Sequence, residues 1–146
     1  MEPLTIRPLT AADLDAWLPL WQGYQAFYKT AIAPEVTAVT WARLLDPADP
    51  VHALGAEVDS RLIGIAHYLF HRSTWTIGDY CYLQDLFVSE AARGSGAGRM
   101  LIEAVSAAAE AAGASRVYWL TAEDNDTARA LYDRVARYSG FIQYRR

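Results

Sequence analysis

The sequence predicts an α+β fold, in which a mixed, mostly antiparallel central sheet is flanked by helices. Three strand-like runs follow one another between His52 and Val88, and consecutive strands are most simply antiparallel neighbours. A glycine-rich turn, a long helical pattern and another strand-like run come next, and the order strand–helix–strand requires a parallel pair. Helical spacing of apolar residues dominates the chain before the first of these strands and returns near the C-terminus.

Length and composition predict a single domain spanning residues 1–146, since a chain of 146 residues can bury one sizeable core. The net charge of −4 and the isoelectric point near 5.3 argue against a nucleic-acid-binding protein, which would normally present a basic face. The first residues lack the basic and apolar regions of a signal peptide, and no apolar run approaches the roughly 20 residues of a membrane span. We therefore expect a cytoplasmic protein without nucleic-acid or membrane partners.

The N-terminal segment is expected to combine a short strand with helices. Leu4–Pro8 alternates apolar and polar residues, which predicts a strand, and a helical pattern begins near Ala11. Pro19 is expected to end or kink this helix, because proline lacks an N–H group and clashes with the preceding turn. Pro34–Val39 is predicted as a linker, followed by a short helix that Thr40 caps and the DPADP segment stops.

The middle of the chain changes to the periodicity of strands. His52–Val58 and Arg61–His71 flank Asp59-Ser60, a pair suited to a tight hairpin turn. Tyr80–Val88 is the third predicted strand and follows a polar loop. The sheet is thus expected to be built around a meander of three strands.

The last third of the chain is predicted to add two helices and two strands. One helix runs from about Gly96 to Ala112 and is closed by Gly113. Ser115–Thr121 is the next strand, a helix with apolar residues up to Val135 follows, and Gly140–Tyr144 is the final strand. The residues that could cap the last helix are Asp124, Asp126 and Thr127.

Cysteine and histidine give no sign of a metal site. Cys81 is the single cysteine, which excludes an internal disulfide and a cysteine-based zinc site. Its place in a strand-like run favours a buried apolar residue over a nucleophile. His52, His67 and His71 lie in or beside strands without the spacing of metal ligands. The sequence therefore predicts no metal.

A glycine-rich turn joins the third strand to the long helix. It reads Arg93-Gly94-Ser95-Gly96-Ala97-Gly98. Such a turn lets the backbone approach an anion closely, while the first N–H groups of the helix point at it. The turn lacks the Lys-Ser/Thr of a P-loop and departs from the dinucleotide pattern G-x-G-x-x-G. From the residues alone it is either a phosphate-binding turn or simply a tight turn.

Two motifs resemble those of the GCN5-related N-acetyltransferases (GNAT). Arg93-x-x-Gly96-x-Gly98 after YLQDLFV is similar to the family's Arg/Gln-x-x-Gly-x-Gly/Ala signature. The segment AEDNDTARALY, which ends at Tyr132, is similar to its Asn-x-x-Ala-x-x-Leu/Phe-Tyr element. Within the family, the chain looks most like the polyamine/thialysine and histone/polyamine acetyltransferases. The resemblance covers about residues 54–144, and it implies a splayed strand pair in the sheet and acetyl-CoA as co-substrate.

The resemblance also implies how the chain holds acetyl-CoA. The end of the third strand offers backbone groups to the pantetheine arm, and the glycine turn with its flanking arginines holds the pyrophosphate. The start of the last helix lies beside the pantetheine arm. Each of these residues also has an ordinary interpretation as a core, turn or capping residue. The residues implied in coenzyme binding are Leu86, Phe87, Val88, Arg93, Gly94, Ser95, Gly96, Ala97, Gly98, Arg99, Asn125, Ala128 and Tyr132.

Acetyl transfer to an alkylamine needs two proton transfers, one from the protonated amine and one to the departing thiolate. The resemblance implies that Tyr132 is the general acid, although it could simply pack in the core. Polyamine-type relatives carry Leu-Glu-Asp where this chain has Leu83-Gln84-Asp85. The amide of Gln84 cannot accept the proton, but as a catalytic residue it could still orient a water or the substrate. Asp85, Glu123 and a chain of waters are the alternative bases. Asp85 reaches the cleft only if the strand is bulged there, and is otherwise a structural hydrogen-bonding residue.

Aromatic residues of the N-terminal segment are candidates for substrate recognition. Trp21, Tyr24, Phe27 and Tyr28 recur at a spacing of three to four, which also describes a helix face packed on the sheet. The predicted substrate-binding set is Tyr24, Tyr28, Gln84 and Glu123.

The resemblance predicts an N-acetyltransferase that transfers the acetyl group of acetyl-CoA to a primary amine of a small molecule. The expected acceptor is a polyamine, a diamine or a lysine analogue, which attacks directly in a ternary complex. The alternative acceptors are protein or histone lysines, amino acids and aminoglycosides. Because Gln84 stands where a glutamate is usual, a non-catalytic acyl-CoA-binding module is a further alternative. The resemblance and the abundant aromatic residues also suggest a homodimer.

Overall fold

Five strands form one sheet in which the spatial order follows the order along the chain. In residues 3–146, which the computed structural model describes, the strands are β1 (Thr5–Pro8), β2 (Val51–Val58), β3 (Arg61–His71), β4 (Tyr80–Val88) and β5 (Arg116–Tyr118). Neighbours from β1 to β4 are antiparallel, whereas β4 and β5 are parallel. The predicted α+β fold with a mixed, mostly antiparallel sheet is therefore confirmed.

Four α-helices cover the two faces of this sheet. They are α1 (Leu14–Phe27), α2 (Pro34–Leu45), α3 (Ala97–Ala111) and α4 (Asp126–Val135), and two short 3-10 turns precede α1 and α3. None of the helices in residues 3–146 is both long enough and apolar enough to cross a membrane.

The β2–β3 hairpin forms where the sequence predicts it. Asp59 and Ser60 have positive φ angles of 53° and 61°, which two central residues of a type I′ turn require. That turn matches the twist of the flanking strands. The predicted bounds of β3 and β4 are also confirmed, because residue alternation defines both strands clearly.

Of the two effects expected of Pro19, an end of the helix does not occur, and the linker predicted before the second helix is wrong. Helix α1 continues through Pro19, because Trp17, Leu20 and Trp21 are buried on either side of it and this packing outweighs the lost backbone bond. The segment predicted as a linker forms the first half of α2, so Thr40 lies inside this helix and does not cap it. Pro34 occupies the start of α2, where its fixed φ angle suits a helix and its missing N–H is not needed.

The C-terminal part of the chain is less regular than predicted. Strand β5 covers only three of the seven residues predicted for it. Residues 140–144 form no strand in the structure, and Phe141, Ile142 and Tyr144 are exposed. A strand needs a neighbour for its backbone groups, and among the described residues this segment has none.

Each face of the sheet has its own apolar core. On one face, Trp17, Trp21 and Ile65 pack with residues of α1, α2 and β4. On the other face, Leu101 and Val105 of α3 belong to a larger cluster that also receives side chains of α4. The side of the sheet toward which a β4 side chain points therefore decides whether it meets α1 or α3.

Arg7 ties β1 to both the first helix and β2. Its guanidinium donates to both carboxylate oxygens of Asp13, at 2.8 and 2.9 Å, and to Glu57 at 2.9 Å. The backbone N–H of Thr10 donates to Asp13 as well, at 2.7 Å. These bonds lower the pKa of Asp13 to about 2, and the bond from Arg7 is the largest cause. A carboxylate with a lowered pKa stabilises the fold at neutral pH.

We predict that Asp13→Asn lowers the free energy of unfolding at pH 7 by about 1–3 kcal/mol, because charge-assisted hydrogen bonds are lost. The contribution of Asp13 is present above the ordinary pKa near 3.8 and is lost as the pH falls toward 2. The difference from the unsubstituted protein should therefore shrink between pH 4 and pH 2 in urea unfolding. Asp15→Asn, at an exposed position on the same helix, is the control. A difference that does not depend on pH would contradict the assignment.

Candidate active site

A β-bulge in β4 determines which side chains meet in the cleft. His67 of β3 lies opposite Asp85, but the next residue, Tyr68, lies opposite Leu83, so Gln84 is the extra residue of β4. After this bulge Leu86 packs with the α3 core and Phe87 with the α1 core. Asp85 therefore lies on the α1 face with Phe87, whereas in a regular strand it would point to the α3 face. The bulge required to bring Asp85 to this face is therefore present.

Asp85 is bonded to His67, and its charge acts on three tyrosines. Its Oδ2 lies 3.0 Å from Nδ1 of His67, and its side chain is 14% exposed. The charge of Asp85 raises the pKa of Tyr24, Tyr28 and Tyr82, although burial is the larger cause for each of them. The Asp85 carboxylate is thus partly exposed, and most of its neighbours are aromatic.

Helix α1 supplies one wall of this setting as a column of aromatic rings. Trp17 stacks on Trp21 at 5.8 Å between ring centroids, Trp21 on Tyr24 at 5.4 Å, and Tyr24 contacts Tyr28 at 5.0 Å. The tryptophans are buried, whereas Tyr28 is 44% exposed. The column therefore leads from the core to the surface beside Asp85.

Gly23 allows α1 to pack close to β4 at Phe87. A Cβ atom at Gly23 would lie 2.9 Å from the ring of Phe87, closer than real side chains permit. Tyr24, the next residue, contacts the edge of the Phe87 ring at 6.5 Å between centroids. A side chain at residue 23 would therefore displace either the Phe87 ring or the helix.

Strands β4 and β5 stay paired over a short distance only. Their ladder joins Tyr80–Tyr82 to Arg116–Tyr118 and ends there, whereas β4 continues to Val88. Among the described residues, the edge of β4 from Leu83 onward has no β5 partner. This is the splayed strand pair that the family resemblance implies, and it leaves backbone groups of β4 available beside Asp85.

The glycine turn opens α3 at the end of β4. Gly94 and Gly96 have φ angles of 84° and 87°, and a Cβ atom on either would have no heavy atom within 4 Å. The backbone conformation, not crowding, thus requires glycine here. Within residues 3–146, the N–H groups of Gly96, Gly98 and Arg99 have no backbone acceptor. Donors at a helix N-terminus suit an anion.

The two arginines of the turn have different surroundings. Arg93 lies over the rings of Phe27 and Phe87, at 5.8 and 6.0 Å from their centroids. Arg99 forms a surface pair with Glu103 at 3.0 Å, one helical turn further on. Arg93 therefore lies where α1, β4 and the glycine turn meet, and Arg99 lies on the exposed side of α3.

Helix α4 packs on the α3 core through Leu131, Tyr132 and Val135. Asn125 caps it, since its Oδ1 accepts a hydrogen bond from the N–H of Ala128 at 3.3 Å. Tyr132 packs edge-on against Trp119 at 5.4 Å. The pKa of Tyr132 is raised to about 12, chiefly by burial and next by Tyr28. Its hydroxyl group therefore keeps its proton at neutral pH.

The other predicted site residues lie at the surface. Gln84 is exposed at the bulge. Glu123 is exposed in the turn before α4, where its carbonyl oxygen accepts a bond from Arg129 at 2.7 Å. The substrate-binding roles proposed for their side chains stay predictions.

Cys81 lies apart from Asp85, because it points into the α3 core and is fully buried. Burial raises the pKa of its thiol to about 11, so the thiolate that a nucleophile needs is scarce at neutral pH. The described residues contain no group of three or more histidine, cysteine, aspartate or glutamate side chains that could hold a metal ion.

A sequence profile of the acetyltransferase (GNAT) family matches residues 14–136 of the chain. The chain belongs to this family. It is therefore an acetyl-CoA-dependent N-acetyltransferase. The glycine turn, the unpaired edge of β4 and the start of α4 all lie within the matched segment of this acetyltransferase.

The acetyltransferase is similar over nearly its whole length to one curated protein, the D-amino-acid N-acetyltransferase HPA3 of Saccharomyces cerevisiae. The two are 39% identical over 145 residues, which are 98% of this chain and 90% of the relative. The assignment to the polyamine and histone group is not supported by this relative, whose name concerns D-amino acids.

Two solved structures share the fold of the acetyltransferase. A ribosomal-protein-alanine N-acetyltransferase from Brucella melitensis biovar Abortus 2308 has a TM-score of 0.82 at 23% identity and covers 97% of each chain. The enzyme AAC(6')-Iy, in complex with a bisubstrate analogue of coenzyme A and acetylneamine, has a TM-score of 0.85 at 18% identity. That match covers 99% of this chain and 97% of the other. At such identities the similarity establishes the architecture.

One member of the acetyltransferase site was missed from the sequence. His67 is 2% exposed and bonds to Asp85, yet it was considered only as a possible metal ligand. Alternation places it on the α1 face with Ile65, but its partner depends on the bulge in the neighbouring strand. The bulge has no clear signal in the residues of β4 themselves.

We predict that Gly96→Asp weakens coenzyme A binding by about tenfold or more, because it adds negative charge where the helix N-terminus would meet the pyrophosphate. Isothermal titration calorimetry with coenzyme A measures the change. Gly113→Asp is the matched control, because Gly113 has a similar φ angle of 77° at the other end of α3. Equal affinities of the two variants would contradict a phosphate site at the glycine turn.

Proposed function

We propose that the protein transfers the acetyl group of acetyl-CoA to the primary amino group of a small molecule, and that this molecule is an amino acid. The observation that carries the proposal is the bulge at Gln84, which brings Asp85 to the α1 face beside the unpaired edge of β4. On that edge, the backbone of Leu86, Phe87 and Val88 would bind the pantetheine arm. The glycine turn would bind the pyrophosphate.

Asp85 would bind the amine and remove its proton. An alkylamine has a pKa near 10.4, so it arrives as an ammonium ion. The carboxylate of Asp85 would accept a hydrogen bond from it and take up one proton, which frees the lone pair of the nitrogen to attack the thioester carbon. Tyr24 and Tyr28 would surround the ammonium with aromatic surface, which favours a cation. Gln84 and Glu123 would contact the acceptor at the rim.

Tyr132 would complete the transfer. As the carbon–sulfur bond breaks, the thiolate of coenzyme A would take the proton of the Tyr132 hydroxyl, and the second proton that the acylated nitrogen loses would restore this hydroxyl group. A pKa of about 12, raised chiefly by burial, keeps this hydroxyl group protonated at neutral pH before the thiolate forms. The buried, weakly acidic Cys81 gives no support to a covalent intermediate, so a direct attack in a ternary complex is the simplest path.

Two observations support an amino acid as the acceptor. The relative with 39% identity is named for D-amino acids. In addition, charges of both signs act on Tyr82: burial, Tyr118 and Asp85 raise its pKa, in that order, and Arg145 lowers it. A carboxylate and a guanidinium near the same hydroxyl suit a zwitterion, whose ammonium group would meet Asp85 and whose carboxylate would meet Arg145.

A polyamine or diamine is the second candidate acceptor. The acidic pI and the aromatic column beside Asp85 favour a cation of this kind. A polyamine would, however, gain nothing from Arg145. The two candidates therefore differ in their response to that one residue.

We predict that Asp85→Asn lowers kcat/KM by about a hundredfold and that Tyr132→Phe lowers kcat by about tenfold or more, since each removes one proton transfer. Thiol release from acetyl-CoA measures turnover, and calorimetry measures coenzyme affinity, which should change little. Asp79→Asn, in the loop before β4, and Tyr138→Phe, at an exposed position, are the controls. Unchanged turnover of a site variant would remove that residue from its role.

The acceptor is tested with a panel that contains D-phenylalanine, L-phenylalanine, phenethylamine, spermidine and a lysine peptide. We expect the D-amino acid to give the highest kcat/KM, and we expect Arg145→Gln to raise its KM about tenfold. Phenethylamine lacks the carboxylate, so its KM should not respond. Arg146→Gln is the matched control. A preference for spermidine would favour the second candidate, and coenzyme binding without thiol release on any amine would favour a non-catalytic module.

A further inference from the structure

A buried histidine connects Asp85 to the core under α1. Nε1 of Trp17 lies 3.1 Å from Nε2 of His67, and Nδ1 of His67 lies 3.0 Å from Oδ2 of Asp85. Trp17 is fully buried and His67 is 2% exposed, whereas Asp85 is open on one side. The three side chains form one line from the core to the cleft.

The chemistry of tryptophan decides where the protons in this line lie. The indole N–H can only donate, so Nε2 of His67 must accept and carries no proton. The single proton of a neutral imidazole then lies on Nδ1, which donates to Asp85. His67 is therefore held as one neutral tautomer.

We propose that His67 is a positioning residue of the acetyltransferase, which orients the Asp85 carboxylate with a neutral N–H donor and leaves its charge for the amine of the acceptor. This inference rests on the proposed role of Asp85. His67 cannot itself take the proton of the amine, because its free nitrogen is bonded to Trp17 inside the core. The tautomer that Trp17 selects is what makes His67 a donor to Asp85.

A second aspartate of the same chain shows why a neutral donor matters. Asp13 is bound by the guanidinium of Arg7, which satisfies both its oxygens and compensates its charge. Asp85 is bound by a neutral ring instead. A carboxylate held in this way keeps its full attraction for an ammonium ion, and the donor still favours its charged form.

Other titratable groups face Asp85 from each element packed against it. Tyr24 belongs to α1, Tyr28 follows the end of that helix, and Tyr82 lies on β4. Burial is the largest cause that raises the pKa of all three, so they stay neutral at acidic and neutral pH. Arg145 acts on Tyr82 from the C-terminal segment. A change in the acidic range after substitution of His67 can therefore be assigned to the pair of His67 and Asp85.

The tautomer is tested directly by nitrogen-15 NMR of the histidine rings in the unsubstituted protein. We expect the His67 ring to carry its proton on Nδ1 and none on Nε2 at pH 7, and we expect Trp17→Phe to change this distribution. This measurement does not depend on activity or on the identity of the acceptor. A proton on Nε2, or a charged ring, would overturn the proposal whether or not the proposed function holds.

Two substitutions of His67 distinguish a role in positioning Asp85 from a role in the stability of the fold. The amide of asparagine can replace Nδ1 and still donate to Asp85, whereas that of glutamine can replace Nε2 and reach only Trp17. We expect His67→Gln to lower kcat/KM about tenfold or more. We also expect the acidic limb of the pH profile of kcat/KM to move to higher pH by about one unit, because the carboxylate loses a hydrogen-bond donor. His67→Asn should keep the acidic limb in its place.

The control for the His67 substitutions is a second histidine, His52. His52→Gln changes a histidine that packs on Tyr68 and Phe70, away from Asp85. Thermal unfolding reports the stability of each variant, and if His67→Gln does not fold, the NMR comparison with Trp17→Phe decides. An equal shift of the limb in His67→Asn and His67→Gln, or a shift in neither, would overturn the proposal. Failure of the proposed function would appear separately, as full activity of Asp85→Asn.

Discussion

The bulge in β4 is the constraint on which the rest of the site depends. In a regular strand Asp85 would follow Leu83 on the α3 face and meet the apolar side chains around Leu101 and Val105. A buried, unpaired carboxylate is costly enough that such a structure would rearrange. One extra residue at Gln84 moves Asp85 to the opposite face, where His67 can bond to it. The same local irregularity thus protects the core and forms the site.

The close packing of α1 on β4 makes this position useful. Gly23 allows the helix to approach Phe87, and the aromatic column then encloses Asp85 without placing a cation against it. The neutral ring of His67 donates a hydrogen bond to the carboxylate of Asp85, whereas the charged guanidinium of Arg7 binds Asp13. Asp13 therefore serves the stability of the fold, while Asp85 keeps a charge that can act on a ligand.

Local chemistry explains where prediction from sequence succeeded. The Asp59-Ser60 turn, the alternation in β3 and β4, and the glycine turn all follow from the conformational preferences of a few neighbouring residues. The N-terminal helices were harder to predict. The sequence predicts a break or kink at Pro19 and a linker at Pro34, but burial of tryptophans overrides the break and a helix start tolerates the second proline.

The sequence by itself determined the strand order of the meander, the glycine turn at the start of α3 and the family to which the chain belongs. Each of these depends on residues that are close together along the chain. Only the tertiary structure decided which carboxylate enters the cleft and what holds it there. Asp85 and His67 are 18 residues apart, and Trp17 is 50 residues from His67. Their meeting depends on strand register and on the depth at which α1 packs, and both are set by contacts between distant segments.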